Sequence, residues 1–281
     1  MWTLHDCWSF TGHCAHFDYI QCEKWMTQCN KCPLKTSYPT SIMIDNSKNN
    51  FLIKKKTFTN LENLTLVMPS KWLKQKVEKS FFRDKRKYVI NNGVDLNKFK
   101  PLNFEKNKEK FVILCVANVW TKEKGIDFIE KLSLNLRKDE VIKIIGLNKT
   151  QIKRFKNNEK IEGYGSLKDQ KELAEIYSKA DVFFNPTYND TFPTTNIEAI
   201  ASGIPVITFD TGGSGEIIDK ECGFVVEKDD IHSVKKAISE IKSGKKDFNK
   251  NARDRAERNF CKDEKIMQYV DLYNKLFFRS R

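Results

Sequence analysis

No apolar run in this chain approaches the ~20 residues that a membrane-spanning helix needs. The opening residues, MWTLHDCW, lack the basic-then-apolar layout of a secretory signal. With no export signal, the eight cysteines are expected to be reduced thiols or metal ligands rather than disulfides. There is no internal repeat and no low-complexity segment. Acidic residues are in short supply, 37 against 50 Lys and Arg, leaving a formal charge of +13 that points to an anionic partner: nucleic acid, a phosphate-bearing substrate or a membrane surface. What is present argues for a folded protein. Of 281 residues, 40% are hydrophobic and 12% aromatic, which excludes a mainly disordered chain. The length suits two modest domains or one large one, with a core that needs no disulfide staples.

The charge is uneven. Residues 54–87 carry eleven basic side chains against Glu62, Glu78 and Asp84, and so supply +8 of the total. Trp72, Leu73, Val77 and Phe81 in this window fall at helical spacing, with lysines on the other face. A core-packed helix with a solvated basic face accounts for the pattern. So does a basic face held near anionic lipid or a phosphorylated acceptor.

The texture changes along the chain. Residues 1–50 are irregular and hold Cys7, Cys14, Cys22, Cys29 and Cys32 among aromatic residues. From about residue 63, short β-branched runs alternate with amphipathic stretches. Strands are predicted at 64–68, 88–90, 111–117, 141–145, 182–185, 206–209 and 223–226. Helices are predicted at 71–82, 126–136, 173–179, 194–201, 231–243, 248–258 and 263–277. Such alternation implies an α/β protein with a parallel sheet covered on both faces, whose ligands bind at the carboxyl ends of the strands.

The densest chemistry lies at 185–216, NPTYNDTFPTTNIEAIASGIPVITFDTGGSGE. A strand ends at Pro186, a polar loop follows, and a helix opens near Thr194. Free backbone N–H groups and the helix dipole make such a start an anion site. Asp190 stands in the loop, and Glu198 lies eight residues on, inside the helix. A carboxylate beside a phosphate site suits recognition of ribose hydroxyls. An ordinary capped strand–helix crossover has the same local pattern.

The spacing of Asp190 and Glu198, followed by AIASGIPVI and TGGSGE, resembles the E-x7-E region of the retaining nucleotide-sugar glycosyltransferases called group 1 or family 4. Asn91-Asn92-Gly93-Val94-Asp95, with Phe99 and Pro101, resembles that family's interdomain segment. Lys124-Gly125 resembles its diphosphate loop, and 163–187 the stretch lining the base. TLHDCWSFTGHC with Cys22, Trp25, Cys29, Cys32-Pro33 and FPTTNIEA is similar to a bacterial, colanic-acid-like subgroup that builds exported polysaccharides.

The resemblance implies an α/β, GT-B-like architecture: a complete C-terminal Rossmann-like domain (96–262) and an incomplete N-terminal Rossmann-like acceptor domain (1–95) with a Cys-rich insert at 14–50. A final helix at 263–281 would cross back to the N-terminal domain. A full member would run to about 350–400 residues, so the chain is expected to lack most of the first sheet of its N-terminal domain. The implied activity is retaining transfer of a sugar from a nucleotide-diphosphate donor to a hydroxyl of a glycan or lipid-linked acceptor.

By the same resemblance, His5, Lys124 and Asp190 would be catalytic. Glu198, Thr194, Thr195, Asn196, Gly165 and Lys122 would bind the donor. Lys122 would stand in for an arginine that the family carries where this chain has Asn118-Val119-Trp120. No catalytic metal is implied. The expected setting is cytoplasmic, at the inner face of the membrane, with surface contact through 54–87 and no nucleic-acid partner.

The cysteines carry a separate expectation. Cys14, Cys22, Cys29 and Cys32 could form a structural zinc site, although only Cys29-x2-Cys32 has zinc-ribbon spacing. His13 or Cys7 could replace one ligand. Reduced cysteines in a packed insert fit equally. Two rival functions share features with the chain: a GT-B nucleotide-sugar epimerase, and a zinc-containing basic nucleic-acid-binding protein using the cysteine cluster and the 54–87 patch.

Overall fold

The computed structural model describes residues 1–104, 109–167 and 169–278. Residue 168, within the 163–187 stretch, and residues 279–281 of the predicted last helix lie outside them, as do residues 105–108. Two compact units emerge: Met1–Asn91 together with Asn189–Phe192, and Asn92–Tyr188 together with Pro193–Arg281.

The first unit is built on a parallel sheet in the order β1 (Trp2–Thr3), β2 (Thr65–Met68), β3 (Arg86–Val89). Between β1 and β2 lie the four-residue α1 (Lys24–Thr27) and α2 (Ser47–Thr59), and α3 (Lys71–Lys79) joins β2 to β3. β2 is buried throughout, as a strand covered on both faces must be. α3 begins at Ser70, whose hydroxyl accepts the N–H of Leu73, and it buries Leu73 and Val77. The helix α2 was not predicted. Phe51-Leu52-Ile53 is a contiguous apolar run that hides the 3.6-residue period, and of the three only Phe51 is buried.

α2 also carries a buried cation. Lys54 is 8% exposed, and its Nζ donates to the carbonyls of Trp8 (2.7 Å) and Thr11 (3.1 Å) while lying 3.3 Å from the centroid of the Trp8 ring. Burial pushes its ammonium down to about 8. This residue therefore staples the turn that follows His5-Asp6 to a helix some forty positions away. Other lysines of the basic window are likewise engaged internally: Lys85 with the carbonyls of Thr59 and Leu61, Lys87 with those of Phe82, Arg83 and Lys85, and Lys76 with Asp18.

The second unit contains a six-stranded parallel sheet in the order β6-β5-β4-β7-β8-β9. Its strands are β4 (Phe111–Val116), β5 (Glu140–Ile145), β6 (Ile161–Tyr164), β7 (Val182–Asn185), β8 (Val206–Phe209) and β9 (Gly223–Val226). The crossovers are α4 (Ile126–Ser133), α5 (Lys149–Phe155), α6 (Gln170–Lys179), α7 (Thr194–Ala201) and α8 (Ser214–Ile217). After β9 come α9 (Ile231–Lys242), α10 (Phe248–Asn259) and α11 (Lys262–Phe278). The order reverses between β4 and β7, the switch point where a doubly wound sheet opens a ligand crevice. Ile113, Ile142, Phe184 and Phe209 are among the core residues that α4 and α9 cover through Phe128, Ile129, Leu132, Val234 and Ile238.

α11 follows a bridge between Val94 and Cys261 and an ion pair of Lys262 with Asp95. Leu272 is its buried residue, whereas Ile266, Met267, Val270, Tyr273 and Phe277 are exposed. Among the described residues no helix is long and apolar enough to cross a membrane.

Replacing Lys54 with methionine keeps the packed stem but leaves the carbonyls of Trp8 and Thr11 without their donor. The expected cost is about 1–3 kcal/mol, read as a lower urea midpoint with an unchanged m-value. An unchanged midpoint would show that the staple carries no stability.

Candidate functional site

The carboxyl ends of β4 and β7 come together around one glycine. After β4, the chain passes through Asn118–Thr121 into a 3-10 turn, Lys122–Lys124, capped by the Thr121 hydroxyl accepting the Lys124 N–H (3.2 Å). Gly125 follows at φ 82°, and a Cβ there would lie 2.2 Å from the carbonyl oxygen of Pro186. The turn bearing Lys122 and Lys124 thus rests on the end of β7. The N–H of Tyr188 donates to the Glu123 carbonyl at 2.8 Å and ties the two loops again. Lys122 is exposed and Lys124 half-buried.

Trp120, the last residue of the Asn118-Val119-Trp120 segment, is a strut. It is buried, its indole N–H donates to the Ile145 carbonyl (2.8 Å), and its own carbonyl accepts from Gln151 (2.8 Å).

A second tight approach joins β4 to β5. Gly146 has φ 97°, and a Cβ there would stand 1.7 Å from the Ala117 carbonyl oxygen. Sequence reading singled out Gly165 in this region, yet a Cβ on Gly165 would meet only the Leu147 carbonyl at 4.0 Å. Gly146 is the sterically obligatory glycine, while Gly165 borders open space. The Gly165 carbonyl accepts the Gly146 N–H at 3.2 Å, which links the two loops.

α7 opens behind Pro193 with no side-chain cap, so its first N–H groups are not claimed by a capping hydroxyl. Thr194 is exposed and Thr195 half-buried. The N–H of Asn196 differs from expectation. It donates to the Pro193 carbonyl (3.2 Å), because the first turn is tight, and is therefore committed within the helix. The Asn196 side chain points into the unit: its Oδ1 accepts from Asn185 (2.8 Å), while its Nδ2 is buried with no partner in the structure. The buried hydroxyls of Thr211 and Ser214, at the start of α8, also lack partners. Unpaired buried polar atoms are rare, and among the described residues five of them, on Thr191, Asn196, Ser202, Thr211 and Ser214, lie on the segments that follow β7 and β8.

Glu198 sits deep in α7. Its Oε2 accepts the phenol O–H of Tyr177 at 3.1 Å, and Tyr177 is fully buried on α6. Burial raises the Glu198 carboxyl above its ordinary value despite that bond, and pushes the Tyr177 phenol well up as well. Tyr177 was missed as a site residue. The available signal was a phenol on a buried helix face, whose hydroxyl must find a partner.

Among the described residues, this unit holds at least two cavities. One, of about 210 Å³, is lined by Leu114, Lys143, Ile145, Tyr164 and Leu167 among others. The other, of about 380 Å³, lies between Pro101, Ser202 and Arg253. Neither is lined by Lys124, Thr194 or Glu198.

The remaining predicted residues fall in the first unit. His5 is exposed, directly after β1, and Asp6 accepts the Trp8 N–H at 2.8 Å. Asp190 belongs to the Asn189–Phe192 segment, where its Oδ1 accepts the Phe192 N–H (3.2 Å) and Asn189 accepts the Tyr19 N–H (2.9 Å). Cys14, Cys22, Cys29 and Cys32 pack against one core cluster. All are free thiols.

Known proteins align with this chain over most of its length. Residues 98–259 match the family described as glycosyl transferases group 1. The chain is 25% identical over 239 residues to the putative colanic acid biosynthesis glycosyl transferase WcaC of Escherichia coli, covering 82% of this chain and 56% of that protein. It is also 25% identical to the capsular polysaccharide biosynthesis glycosyltransferase CapM of Staphylococcus aureus, covering 76% and 62%. The chain therefore spans little more than half the length of these relatives.

Among solved structures, sucrose-phosphate synthase from Thermosynechococcus elongatus superposes with a TM-score of 0.71 at 21% identity, over 85% of this chain and 64% of that one. Anabaena HepE in complex with UDP gives 0.65 at 16% identity, over 79% and 68%.

The raised Glu198 carboxyl fixes a sign. Between the ordinary value of 4.5 and the higher folded value, the folded chain binds the proton more tightly than the unfolded chain. That contribution to stability is fully present below pH 4.5 and is lost as pH rises through the folded value. Glu198→Gln is expected to be more stable than the parent at pH 7, with the gap closing toward pH 4. Urea unfolding at both pH values reads it, and a variant less stable at pH 7 contradicts the burial argument.

Proposed function

Because this chain belongs to the group 1 glycosyl transferases, we propose that it moves a sugar from a nucleotide-diphosphate donor to a hydroxyl of a glycan or lipid-linked acceptor, in the building of a bacterial cell-surface polysaccharide. The observation that carries this reading is the half-buried Glu198 carboxylate, held by Tyr177 inside the helix whose uncapped start follows the β7 loop. A desolvated carboxylate with one fixed donor has lone pairs left to accept from a pair of ribose hydroxyls.

In this scheme the diphosphate meets the N–H groups of Thr194 and Thr195 and the ammonium of Lys124, while Lys122 lends charge from the rim. Asn196 shapes the floor through its side chain. Charge grows on the leaving diphosphate as the glycosidic bond breaks, so cationic and dipolar groups fixed beforehand favour the transition state. Retention follows from front-face attack, with the departing diphosphate accepting the proton of the incoming hydroxyl. Asp190 contacts the transferred sugar and His5 the acceptor side. No divalent metal is required by this scheme, since lysine, helix dipole and N–H groups hold the diphosphate.

The expected setting is the cytoplasmic face of the membrane. Surface contact there would use the exposed Lys55, Lys56 and Lys79 rather than the whole 54–87 window, because Lys54, Lys85 and Lys87 already serve backbone carbonyls. The same internal use argues against the nucleic-acid-binding alternative. The epimerase alternative shares the donor side and is separated by product.

Thermal shift with a panel of nucleoside diphosphates tests the donor reading. At least one is expected to raise the melting temperature of the parent, and none that of Glu198→Gln. Lys124→Ala should lower kcat by about 10²–10³ with the fold intact. Absence of stabilisation by every nucleoside diphosphate, together with steeply salt-dependent DNA binding, would overturn the proposal.

A further inference from the structure

Residues 5–46 form the least regular part of the first unit, with two 3-10 turns, Trp8–Phe10 and Asp18–Ile20, and the single turn of α1. The four cysteines read as zinc ligands pack into or against its core, and among the described residues no three Cys, His, Asp or Glu side chains are set to hold a metal ion. What this stretch does present to solvent is an aromatic ring. Of the five tryptophans, Trp25 and Trp120 are buried, Trp2 and Trp72 are half-buried, and Trp8 is 41% exposed. An indole left in water forfeits the burial that makes the side chain useful to folding.

The exposed ring is nevertheless held in place. The N–H of Trp8 donates to Asp6 Oδ1 at 2.8 Å, and its carbonyl accepts from Lys54 Nζ at 2.7 Å. The flanking residues point inward. Cys7 and Phe10 are fully buried, the Cys7 N–H donates to the Ala15 carbonyl at 2.9 Å, and Phe10 packs edge-on to Trp25 at 5.4 Å. The Lys54 ammonium also lies 3.3 Å from the centroid of the Trp8 ring. Because Lys54 is itself buried, that face of the indole is closed, and the exposure of Trp8 belongs to its other face and edge. A ring clamped on one side and open on the other has already lost the freedom that binding would cost.

The chemistry beside the ring selects its ligand. The open face carries the negative pole of the aromatic quadrupole. A pyranose offers C–H hydrogens on one face and hydroxyls around its rim, so it needs an aromatic plane with polar groups next to it. Both stand within three residues of Trp8. His5 is exposed, directly after β1, and its imidazole can donate or accept. Asp6 is half-buried, and its carboxylate keeps lone pairs beyond the one that meets the Trp8 N–H. The same carboxylate disfavours an anionic lipid surface, the other common resting place of an exposed tryptophan.

We propose that Trp8 is the stacking platform of a pyranose-binding subsite, with His5 and Asp6 taking the sugar hydroxyls. The sugar is assigned to the acceptor, an assignment that rests on the glycosyl transfer proposed above. It makes the accepting end a sugar ring rather than a bare lipid phosphate. Lys54 is a positioning residue here: it touches the ring and the backbone of Trp8, not the sugar.

The test is saturation-transfer NMR titration of the full chain with methyl β-galactopyranoside, methyl β-glucopyranoside and methyl α-mannopyranoside. Open-chain glucitol, which has no ring face, is the control. At least one pyranoside is expected to bind, with transfer strongest to the C–H hydrogens of one face, and glucitol is not. Trp8→Ala should weaken that binding about tenfold. Trp8→Phe should bind more tightly than Trp8→Ala and more weakly than the parent, and it carries the test if Trp8→Ala does not fold. Tyr38→Ala, which removes an exposed aromatic elsewhere in the unit, should bind like the parent. No pyranoside bound by the parent, or equal binding by the parent and both Trp8 variants, overturns the subsite. Tryptophan quenching by vesicles of phosphatidylglycerol and phosphatidylcholine, without pyranoside binding, overturns it too and gives the ring to a membrane surface. Thermal shift with nucleoside diphosphates on the same preparations separates the two readings. Pyranoside binding through Trp8 with no stabilising nucleoside diphosphate keeps the subsite and removes the transfer reading.

Discussion

The crevice of the second unit depends on one close contact, the backbone of Gly125 against the Pro186 carbonyl. It can exist only because position 125 has no Cβ and takes a positive φ. Through it the loop after β4, with its two lysines, is fixed to the loop after β7, which leads to α7. The switch between β4 and β7 would otherwise leave two independent loops. Thr121, capping the same turn, and the Tyr188 N–H on Glu123 add directional bonds to what the glycine permits. This packing fixes the backbone that carries Lys122 and Lys124.

Behind this crevice, the electrostatics run against stability. Glu198 is desolvated, Tyr177 is buried with it, and Asn196, Thr211 and Ser214 each leave a buried polar atom unpaired. A protein selected only to fold would not keep this set, whereas a protein that must hold a polar ligand gains from it. The first unit follows a different logic. Its sheet has three strands, and its long connection is organised by aromatic stacking, cysteines and a buried lysine rather than by backbone ladders.

Much of the second unit was legible in the sequence, because short β-branched runs alternating with amphipathic helices admit few arrangements. The segments that escaped detection did so for physical reasons. α2 hides its period behind a contiguous Phe51-Leu52-Ile53, and β6 is a short strand interrupted by Gly163. At the site, Lys124, Thr194 and Glu198 stood out because charge and helix starts are written locally. Tyr177 and Gly146 did not, because their roles are set by partners distant in sequence: the carboxylate of Glu198 and the carbonyl of Ala117. The basic window was legible as a count but not as a surface, since a lysine bound to carbonyls reads the same as one in water.

The last helix, α11, has a consequence for how the molecule behaves in bulk. Ile266, Val270, Tyr273 and Phe277 form an apolar strip along one side of an exposed helix. Each molecule also carries a formal charge of +13. At low ionic strength, mutual repulsion keeps such strips apart. At the roughly 8 Å screening length of physiological salt the repulsion shortens while the strip keeps its stickiness. Colloidal behaviour is thus set by a balance between a whole-molecule charge and a patch one helix wide, so this protein should be most dispersed in the dilute buffers that usually precipitate less charged ones.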